Sequence, residues 1–426
     1  MKLDITDINN AFSPTHEIDD PHKFIGRYEE IESLIVGLST EGSFISIFGL
    51  RGIGKSSIAR QIKLIAEGNT ILPRELGLDY LIPRKGFDYM VHLVSCDSFI
   101  TDVTSLIKRI LLGDDKNESI FYHNKNGDKR VVAYKEKEKA SIGANLYAIK
   151  GGVEGEDETT YEVRLTDDLI QEFKQALATT QKDNQDKTGI FILIDEFDIL
   201  KNKEGFASLV KTCSSKFVKF GVVGIGESTE DLIEDHASVG RQINSVLVKP
   251  MQEKELRQII VSAINTLKKK IKFEDSVTND IIKQAEGFPY FVHLLGKESI
   301  LLAFKRKLDC VCLSLYQEVL DNLIKGKIQL TQEFRYVEVC RTSAEREFLL
   351  KLFADSENNI ILIEDIYENA RAFAIEEPSQ YMKELIDSKK ITPILIKSRD
   401  GRHVRFADPI LKIYAKKRKY IHAKYE

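Results

Sequence analysis

Short runs of apolar residues, rich in isoleucine, valine and phenylalanine, recur along the chain up to about residue 250. Segments with apolar residues at helical spacing lie between them, so each run predicts a strand buried on both faces of a parallel sheet. The clearest runs are residues 44–48, 88–94, 190–194 and 220–225. This alternation predicts an α/β domain in which helices sandwich a parallel sheet.

Beyond residue 250 the pattern changes, because apolar residues now recur three and four positions apart over longer stretches. The spacing predicts a group of helices over residues 253–270, 275–286, 289–305 and 314–334. A proline at position 289 suits the first turn of its helix.

The C-terminal residues show a third pattern, in which amphipathic helical segments are followed by two short apolar runs around a glycine-containing turn. The helical segments are 345–354, 363–374 and 378–388, and the apolar runs are 394–396 and 403–406. Three helices followed by a hairpin is the element order of a winged helix.

The composition narrows the class of protein. The chain has 426 residues, 30% of them charged, and a net charge of −4, which indicates neither a nucleic-acid-binding nor a membrane-binding protein as a whole. Its five cysteines are odd in number and scattered, which suits a reducing compartment. No apolar run approaches the roughly 18 residues that span a bilayer, so we expect a cytoplasmic protein without membrane contact.

Residues 49–56 carry the strongest chemical signal, because they match the G-x-x-x-x-G-K-S spacing of a phosphate-binding loop between a strand and a helix. In such a loop Lys55 reaches the β- and γ-phosphates, and the Ser56 hydroxyl is a ligand of Mg²⁺. The sequence therefore predicts ATP and Mg²⁺ as cofactors, with nucleotide contacts from Gly49, Arg51, Gly52, Ile53, Gly54, Lys55, Ser56 and Ser57.

The apolar run at 190–194 ends in two adjacent carboxylates, about 140 residues after the phosphate-binding loop. The carboxyl end of a parallel strand is where ligands bind in open α/β sheets. We predict that Asp195 holds Mg²⁺ and that Glu196 is the general base for the attacking water. Asp198 is interpreted as a local cap or loop acid.

The run at 220–225 is followed by Gly226, Glu227 and Ser228. In the additional-strand class of P-loop ATPases, a polar residue at this strand end senses the γ-phosphate. Ser228 is the preferred candidate and Glu227 the other, while an ordinary strand-to-helix cap remains an equal alternative.

Four further segments extend the motif order and resemble the AAA+ ATPases of the origin-recognition type and the related STAND signalling ATPases. Residues 24–31 resemble their F-x-G-R-x-x-E-I box, residues 287–289 their G-x-P motif, and residues 236–241 and 246–251 the helix and strand that close the nucleotide domain. The resemblance implies a bacterial AAA+/STAND-like ATPase, with base-side contacts from Phe24, Ile25, Arg27 and Pro289.

The resemblance also implies roles for two single residues. Arg241 occupies the position of an arginine finger that reaches the γ-phosphate of a neighbouring subunit, which implies a homo-oligomer; a structural helix-end arginine is the alternative. The helix after the G-x-P motif has no arginine in its first turns, so His293 is the candidate substitute, and a packed histidine is the alternative.

These motifs give a predicted domain order. It comprises an N-terminal arm over 1–22, a nucleotide-binding domain over 23–249 with an insertion at about 113–165, a helical lid over 250–340 and a winged-helix domain over 341–426. Residues 389–426 contain twelve lysines and arginines against three acidic residues, which makes DNA a candidate partner of that domain.

Two functions therefore remain open from the sequence. The first is a nucleotide-dependent ATPase switch that oligomerises or recruits a partner protein, for which the resemblance implies a bacterial defence or stress system. The second is an initiator-like ATPase whose basic winged helix grips duplex DNA.

Overall fold

The computed structural model describes residues 4–113, 119–121, 169–226, 228–233, 243–325, 327–328, 330–356, 358, 360–386, 393–398 and 400–425. These residues form two compact units. The first comprises residues 18–49 and 55–248, and the second comprises residues 1–17, 50–54 and 249–426. Most of the predicted insertion lies outside the described residues.

The first unit is built on a parallel sheet of five strands. The strands are β1 (Phe44–Gly49), β2 (Tyr89–Ser95), β3 (Gly189–Asp195), β4 (Val218–Ile225) and β5 (Ile243–Val248). Their order across the sheet is β2-β3-β4-β1-β5, so β4 lies between β1 and β3. The register pairs Gly49 with Ile225 and Val248, and Ser95 with Asp195. The strand ends predicted to carry the chemistry therefore share one edge of the sheet.

Helices cover both faces of this sheet. They are α2 (Tyr28–Ser39), α3 (Lys55–Ala66), α4 (Ile71–Glu75), α5 (Val103–Leu112), α6 (Leu169–Asp183), α7 (Phe206–Cys213) and α8 (Thr229–Leu232). Ile190, Ile192 and Ile194 belong to one core cluster with residues of α5, α6 and α7. Phe191 and Leu193 are also fully buried, and they point to the opposite face because side chains alternate along a strand. The predicted sandwich is confirmed.

The second unit begins with a helix where the sequence predicts an irregular arm. This helix, α1 (Ile5–Ala11), starts with a capping box in which Asp4 and Asp7 bind each other's backbone N–H groups. Ile8 in the helix and Phe12 just after it are buried, and a Cβ on Gly296 would lie 2.5 Å from the Phe12 ring. The absence of a side chain at position 296 therefore makes room for the start of the chain.

The predicted group of helices after residue 250 is present with altered ends. It comprises α9 (Glu253–Thr266), α10 (Asp275–Ala285), α11 (Pro289–Lys305), α12 (Leu313–Ile324) and α13 (Leu330–Cys340), with a small sheet of β6 (Lys272–Phe273) and β7 (Cys310–Val311). The single helix predicted over 314–334 is wrong, since two helices cover this stretch. Helix α9 ends early because Lys268 and Lys269 adopt left-handed backbone conformations.

The C-terminal part of the second unit has its own hydrophobic core. Its elements are α14 (Ala344–Asp355), β8 (Ile361–Leu362), α15 (Ile363–Ala372), α16 (Pro378–Ile386), β9 (Leu395–Lys397), β10 (His403–Phe406) and α17 (Pro409–Lys417). The strands form an antiparallel sheet in the order β8-β10-β9. The three helices and the hairpin match the predicted order, whereas β8 and α17 were not predicted. Assignment as a winged helix, and the boundary at about residue 340, stay predictions.

In the part of the chain that the structure describes, no helix is both long and apolar enough to cross a membrane.

Candidate functional site

The phosphate-binding loop connects β1 to α3 through a backbone that favours glycine. Gly49, Gly52 and Gly54 have φ values of 154°, 75° and 103°, a region that residues with a Cβ rarely adopt. Helix α3 begins at Lys55, and the N–H groups of its first turn have no acceptors within the helix. An anion bound at this turn would meet those N–H groups and the positive end of the helix dipole.

Asp195 ends β3 beside this loop. The Ser56 hydroxyl and the Lys55 ammonium lie near enough to its carboxyl group to favour the charged form. Burial raises the pKa of Asp195, the hydrogen bonds from the Glu196 N–H and Ser56 oppose that shift, and the Glu196 carboxylate adds to it. Because a cation would favour the charged form of this buried carboxylate, the pair of oxygen ligands fits a divalent ion.

The donor set also indicates which ion would fit. The described residues contain no group of three or more histidine, cysteine, aspartate or glutamate side chains that could hold a metal. Mg²⁺ is commonly held by one or two protein oxygens together with water and substrate phosphates. The hydroxyl of Ser56 and the carboxylate of Asp195 therefore fit the predicted Mg²⁺ better than a metal held by protein ligands alone.

Glu196 lies one residue beyond the end of β3 and is exposed. Its backbone is left-handed, with φ 55° and ψ 33°, and its N–H donates a hydrogen bond to Asp195 Oδ1 at 2.8 Å. The Ser95 hydroxyl donates to Glu196 Oε2 at 3.2 Å. A left-handed non-glycine residue costs about 1–3 kcal/mol, so the fold sustains strain at the predicted general base.

Ser95 is a site residue that sequence reasoning missed. It is the last residue of β2 and pairs in register with Asp195. The sequence predicted a strand over 88–94, directly before Ser95. It did not indicate that this strand lies beside β3 in the sheet, so it did not place Ser95 next to Glu196. The Ser95 hydroxyl orients the Glu196 carboxylate.

Asp198 and Ser228 lie near the end of β4. Asp198 Oδ1 accepts a hydrogen bond from the Ile225 N–H at 2.8 Å, so its interpretation as a loop acid is confirmed. Gly224 has no room for a side chain there, since a Cβ would lie 2.9 Å from Asp198 Oδ1. Ser228 follows β4 on the sheet edge that also carries Gly49, and its contact with the γ-phosphate stays a prediction.

The F-x-G-R-x-x-E-I box is mostly involved in packing. Phe24 is buried, Ile25 is half-buried, and Arg27 is only 5% exposed in a left-handed conformation. Arg27 Nη1 forms an ion pair with Glu30 Oε1 at 2.9 Å.

Ser57 also has an internal role, because its hydroxyl accepts the Ile18 N–H at 3.1 Å. Contacts of these residues with the nucleotide stay predictions.

Within the second unit, residues of the G-x-P motif approach the phosphate-binding loop. A Cβ on Gly54 would lie 3.8 Å from Pro289 Cγ, and a Cβ on Gly52 would lie 3.8 Å from Tyr290 Cβ. The sequence predicted a site role for Pro289, whereas Tyr290 was missed. A Cβ at either glycine would therefore make an ordinary van der Waals contact, so Pro289 and Tyr290 lie next to the loop.

His293 lies against the N-terminal segment of the same unit. Its Nδ1 accepts a hydrogen bond from the Ser13 N–H at 3.3 Å, and the Phe12 ring meets the imidazole edge-on at 6.0 Å between centroids. Burial lowers the pKa of His293 to about 4, so the imidazole is neutral at pH 7. These contacts favour the packing alternative over a cationic contact with phosphate.

Two predicted features lie outside the described residues. They are the arginine-finger candidate Arg241, with the segment 236–240 before it, and the sensor alternative Glu227.

The position of β4 decides the fold class. A strand inserted between the strand that leads into the phosphate-binding loop and the strand that ends in Asp195 is the defining feature of the additional-strand class. The chain has a P-loop fold of the additional-strand class.

No family model and no curated protein matches the chain. Solved structures with a similar fold include the Thermotoga maritima RuvB Holliday junction branch migration motor, with 14% identity, a TM-score of 0.42 and coverage of 89% of this chain and 92% of that one. Cdc6p from Pyrobaculum aerophilum has 12% identity, a TM-score of 0.43 and coverage of 96% of both chains. The Aeropyrum pernix ORC2 protein, solved in ADPNP–ADP complexes, has 12% identity, a TM-score of 0.42 and coverage of 96% of this chain and 98% of that one. At these scores the structures are similar to this chain in fold alone.

Proposed function

We propose that the chain is an ATP-binding and ATP-hydrolysing switch of the AAA+/STAND type. One observation supports this above all: Gly49 at the start of the glycine turn, Asp195 with the nearby Ser56, and the Ser95–Glu196 hydrogen bond lie at a single edge of the sheet. This edge combines a cradle for phosphate, ligands for Mg²⁺ and a base for water.

Binding of ATP follows from the charges of the loop. The N–H groups at the start of α3 and the Lys55 ammonium would meet the negative phosphates, since Lys55 is the first residue of that helix. Ser56 and Asp195 would hold Mg²⁺, which when bound supplies positive charge to the phosphate oxygens.

Hydrolysis follows from the carboxylate next to this cluster. Glu196 is exposed and held by Ser95, so it can accept a proton from a water molecule whose oxygen attacks the γ-phosphorus. The bond between the γ-phosphorus and the bridging oxygen then breaks, which yields ADP and phosphate. Ser228 is the proposed γ-phosphate sensor, and Arg241 the proposed finger from a neighbouring subunit of a homo-oligomer.

The charges of the C-terminal tail favour a switch over a DNA-gripping initiator. Arg418 donates two hydrogen bonds to Glu333, at 3.0 and 3.2 Å, and Lys424 donates to Glu345 at 2.5 Å. Lysines and arginines that are already paired with carboxylates release few counterions from DNA, so they contribute little to its affinity. We therefore propose that the output is nucleotide-dependent recruitment of a partner protein, in a bacterial defence or stress system.

An ATPase assay combined with an electrophoretic shift tests this choice. We expect the purified protein to hydrolyse ATP, and we expect duplex DNA to be retained neither with nor without ATP at moderate salt. DNA retention that weakens as salt rises would instead support the initiator-like function. In that case the double variant Lys397→Glu and Lys419→Glu, which changes two exposed lysines, should lose DNA and keep ATP affinity.

A further inference from the structure

Two lysines of α17 converge on one carboxylate at the end of α10. Lys412 Nζ lies 3.3 Å from Glu286 Oε2, and Lys416 Nζ lies 3.5 Å from Glu286 Oε1. The Lys412 side chain is only 3% exposed, and its Nζ also donates to the Asn358 carbonyl at 3.4 Å. Burial lowers the pKa of Lys412, and the Glu286 carboxylate opposes that shift by favouring the charged ammonium.

Glu286 occupies a backbone position that does not suit a glutamate. It is the C-cap of α10, with φ 46° and ψ 36°, where glycine or asparagine is the unstrained choice. The cost of a left-handed residue is about 1–3 kcal/mol and is typically sustained where the residue has a specific role. A glycine at position 286 would avoid this strain but would lack the carboxylate. The specific role therefore belongs to the Glu286 side chain.

The turn that follows Glu286 is fixed by close contacts. The carbonyl of Gly287 accepts the Met251 N–H at 2.8 Å, and a Cβ on Gly287 would lie 2.5 Å from Pro250 Cβ. The Phe288 N–H donates to the Ala285 carbonyl at 2.7 Å. Because this turn is tightly packed, a movement of Glu286 would also move the residues that follow it, 288–290.

Those next residues are the ones that approach the phosphate-binding loop. Pro289 and Tyr290 are in van der Waals range of the Cβ positions of Gly54 and Gly52, as described above. Residues 50–54 belong to the same compact unit as the turn and as α17. Contacts thus connect α17 to Glu286 and to the turn after it, and that turn lies next to the glycines of the loop.

We propose that Glu286 is a positioning residue whose ion pairs with Lys412 and Lys416 hold the 286–290 turn against the phosphate-binding loop and thereby set the affinity for nucleotide. This inference rests on the proposed function, because it assigns a regulatory contact to the same nucleotide site. With the pairs intact the turn is ordered before the nucleotide binds. With the pairs broken, binding must also order the turn, and the affinity falls.

The coupling is reciprocal. If the position of α17 sets nucleotide affinity, then a bound nucleotide must stabilise the position of α17 by the same free energy. Coupling of this kind typically changes affinity by roughly 5- to 150-fold. The basic helix at the end of the chain thus becomes the element through which the nucleotide state reaches the C-terminal domain.

The test uses neighbouring lysines on one helix. Lys416→Met removes a partner of Glu286, whereas Lys417→Met removes the same charge from a residue for which the described structure shows no charged partner. We expect Lys416→Met and Glu286→Gln to lower the affinity for MgADP by about fivefold or more in calorimetry, and Lys417→Met to leave it unchanged. Hydrogen exchange of residues 410–417 should slow on adding MgADP to the wild type, but not to Glu286→Gln.

A charge swap separates positioning from simple destabilisation. Glu286→Lys alone should weaken MgADP binding, and adding Lys412→Glu with Lys416→Glu should restore it, because the opposite charges meet again in reversed order. Unchanged affinity in both Lys416→Met and Glu286→Gln, or a folded triple variant that fails to recover, would overturn the role of Glu286. Failure of the wild type itself to bind MgADP would instead overturn the proposed function, and this role with it.

Discussion

The edge of the five-stranded sheet and the C-terminal part of the second unit both concentrate charge, but they use it differently. At the sheet edge Glu196 remains exposed and is held by a neutral hydroxyl, and Asp195 is half-buried near Ser56 with a raised pKa. In the C-terminal part carboxylates are paired with basic groups, as in Glu345 with Lys424. The first arrangement can accept a ligand, whereas the second stabilises the fold.

This contrast shows that the number of charged residues in a segment does not indicate how many of them are available to bind a ligand. The tail from residue 389 carries a large positive excess, yet Lys412, Lys416 and Arg418 form ion pairs with acids before residue 334. The loop at 49–56 has one lysine, and the folded protein leaves it beside a backbone turn that suits phosphate. Function follows from where the fold places each charge.

Removal of the loop lysine should give the largest effect on ligand binding. Lys55→Ala should lower ATP affinity by roughly 10- to 150-fold, since charge-assisted hydrogen bonds worth about 1.5–3 kcal/mol are lost. The matched control is Lys63→Ala on the same helix, which loses only a surface pair with Glu67. Equal ATP affinity of the two variants in calorimetry would contradict the site.

Removal of a buried carboxylate from the C-terminal part should affect stability instead of ligand binding. Glu347 is fully buried there. Its carboxylate accepts hydrogen bonds from the Tyr336 hydroxyl at 2.7 Å and from the N–H groups of Ile421 and His422 at 2.6 and 2.9 Å. Glu347→Leu should therefore destabilise this part by about 3 kcal/mol, because three donors lose their acceptor. We expect a lower melting temperature and faster hydrogen exchange at residues 421 and 422.

The control for that change lies two residues earlier on α14. Glu345 pairs with the exposed Lys424, so Glu345→Leu should cost no more than about 1 kcal/mol. If both variants melt at the same temperature, the buried carboxylate does not stabilise the C-terminal part as described.

A smaller effect concerns His293, which is uncharged in the folded protein at pH 7. Its pKa is about 4 when folded against an ordinary value of 6.5, so between these values the unfolded chain binds more protons. Stability contributed by the neutral imidazole is therefore complete above about pH 6.5 and is lost as the pH falls towards 4. His293→Asn keeps an acceptor for the Ser13 N–H and should make the melting temperature depend less on pH in this window. An unchanged slope would contradict the buried, neutral state of His293.

Sequence reasoning located the strands and the site motifs because each signal is local. The glycine spacing at 49–56 and the carboxylates after β3 depend on residues adjacent in the chain, and β10 was predicted with its observed bounds. The helix α1 was missed because its few apolar residues become meaningful only when Phe12 meets Gly296. Its stability comes from contacts far along the chain, which no local pattern contains.

Helix α17 was missed for a related reason. Its lysines gave the segment the composition of a solvated basic tail, and buried Lys412 pairs with Glu286, which lies 126 residues away. Ser95 was missed for the same reason, since its partner Glu196 follows the neighbouring strand β3. The strand order and long-range ion pairs are properties of the folded chain.

Comparison of ATP binding and ATP hydrolysis in the Glu196→Gln variant tests the central claim most directly. The amide can still occupy the site but cannot take up the proton of the attacking water, so hydrolysis should fall by roughly 10²- to 10⁴-fold while ATP affinity stays at the wild-type value. Glu204→Gln, which changes an exposed loop glutamate, is the control and should alter neither quantity. Wild-type turnover by Glu196→Gln, or loss of ATP binding in parallel with turnover, would contradict the assignment of Glu196 as the general base of an ATPase.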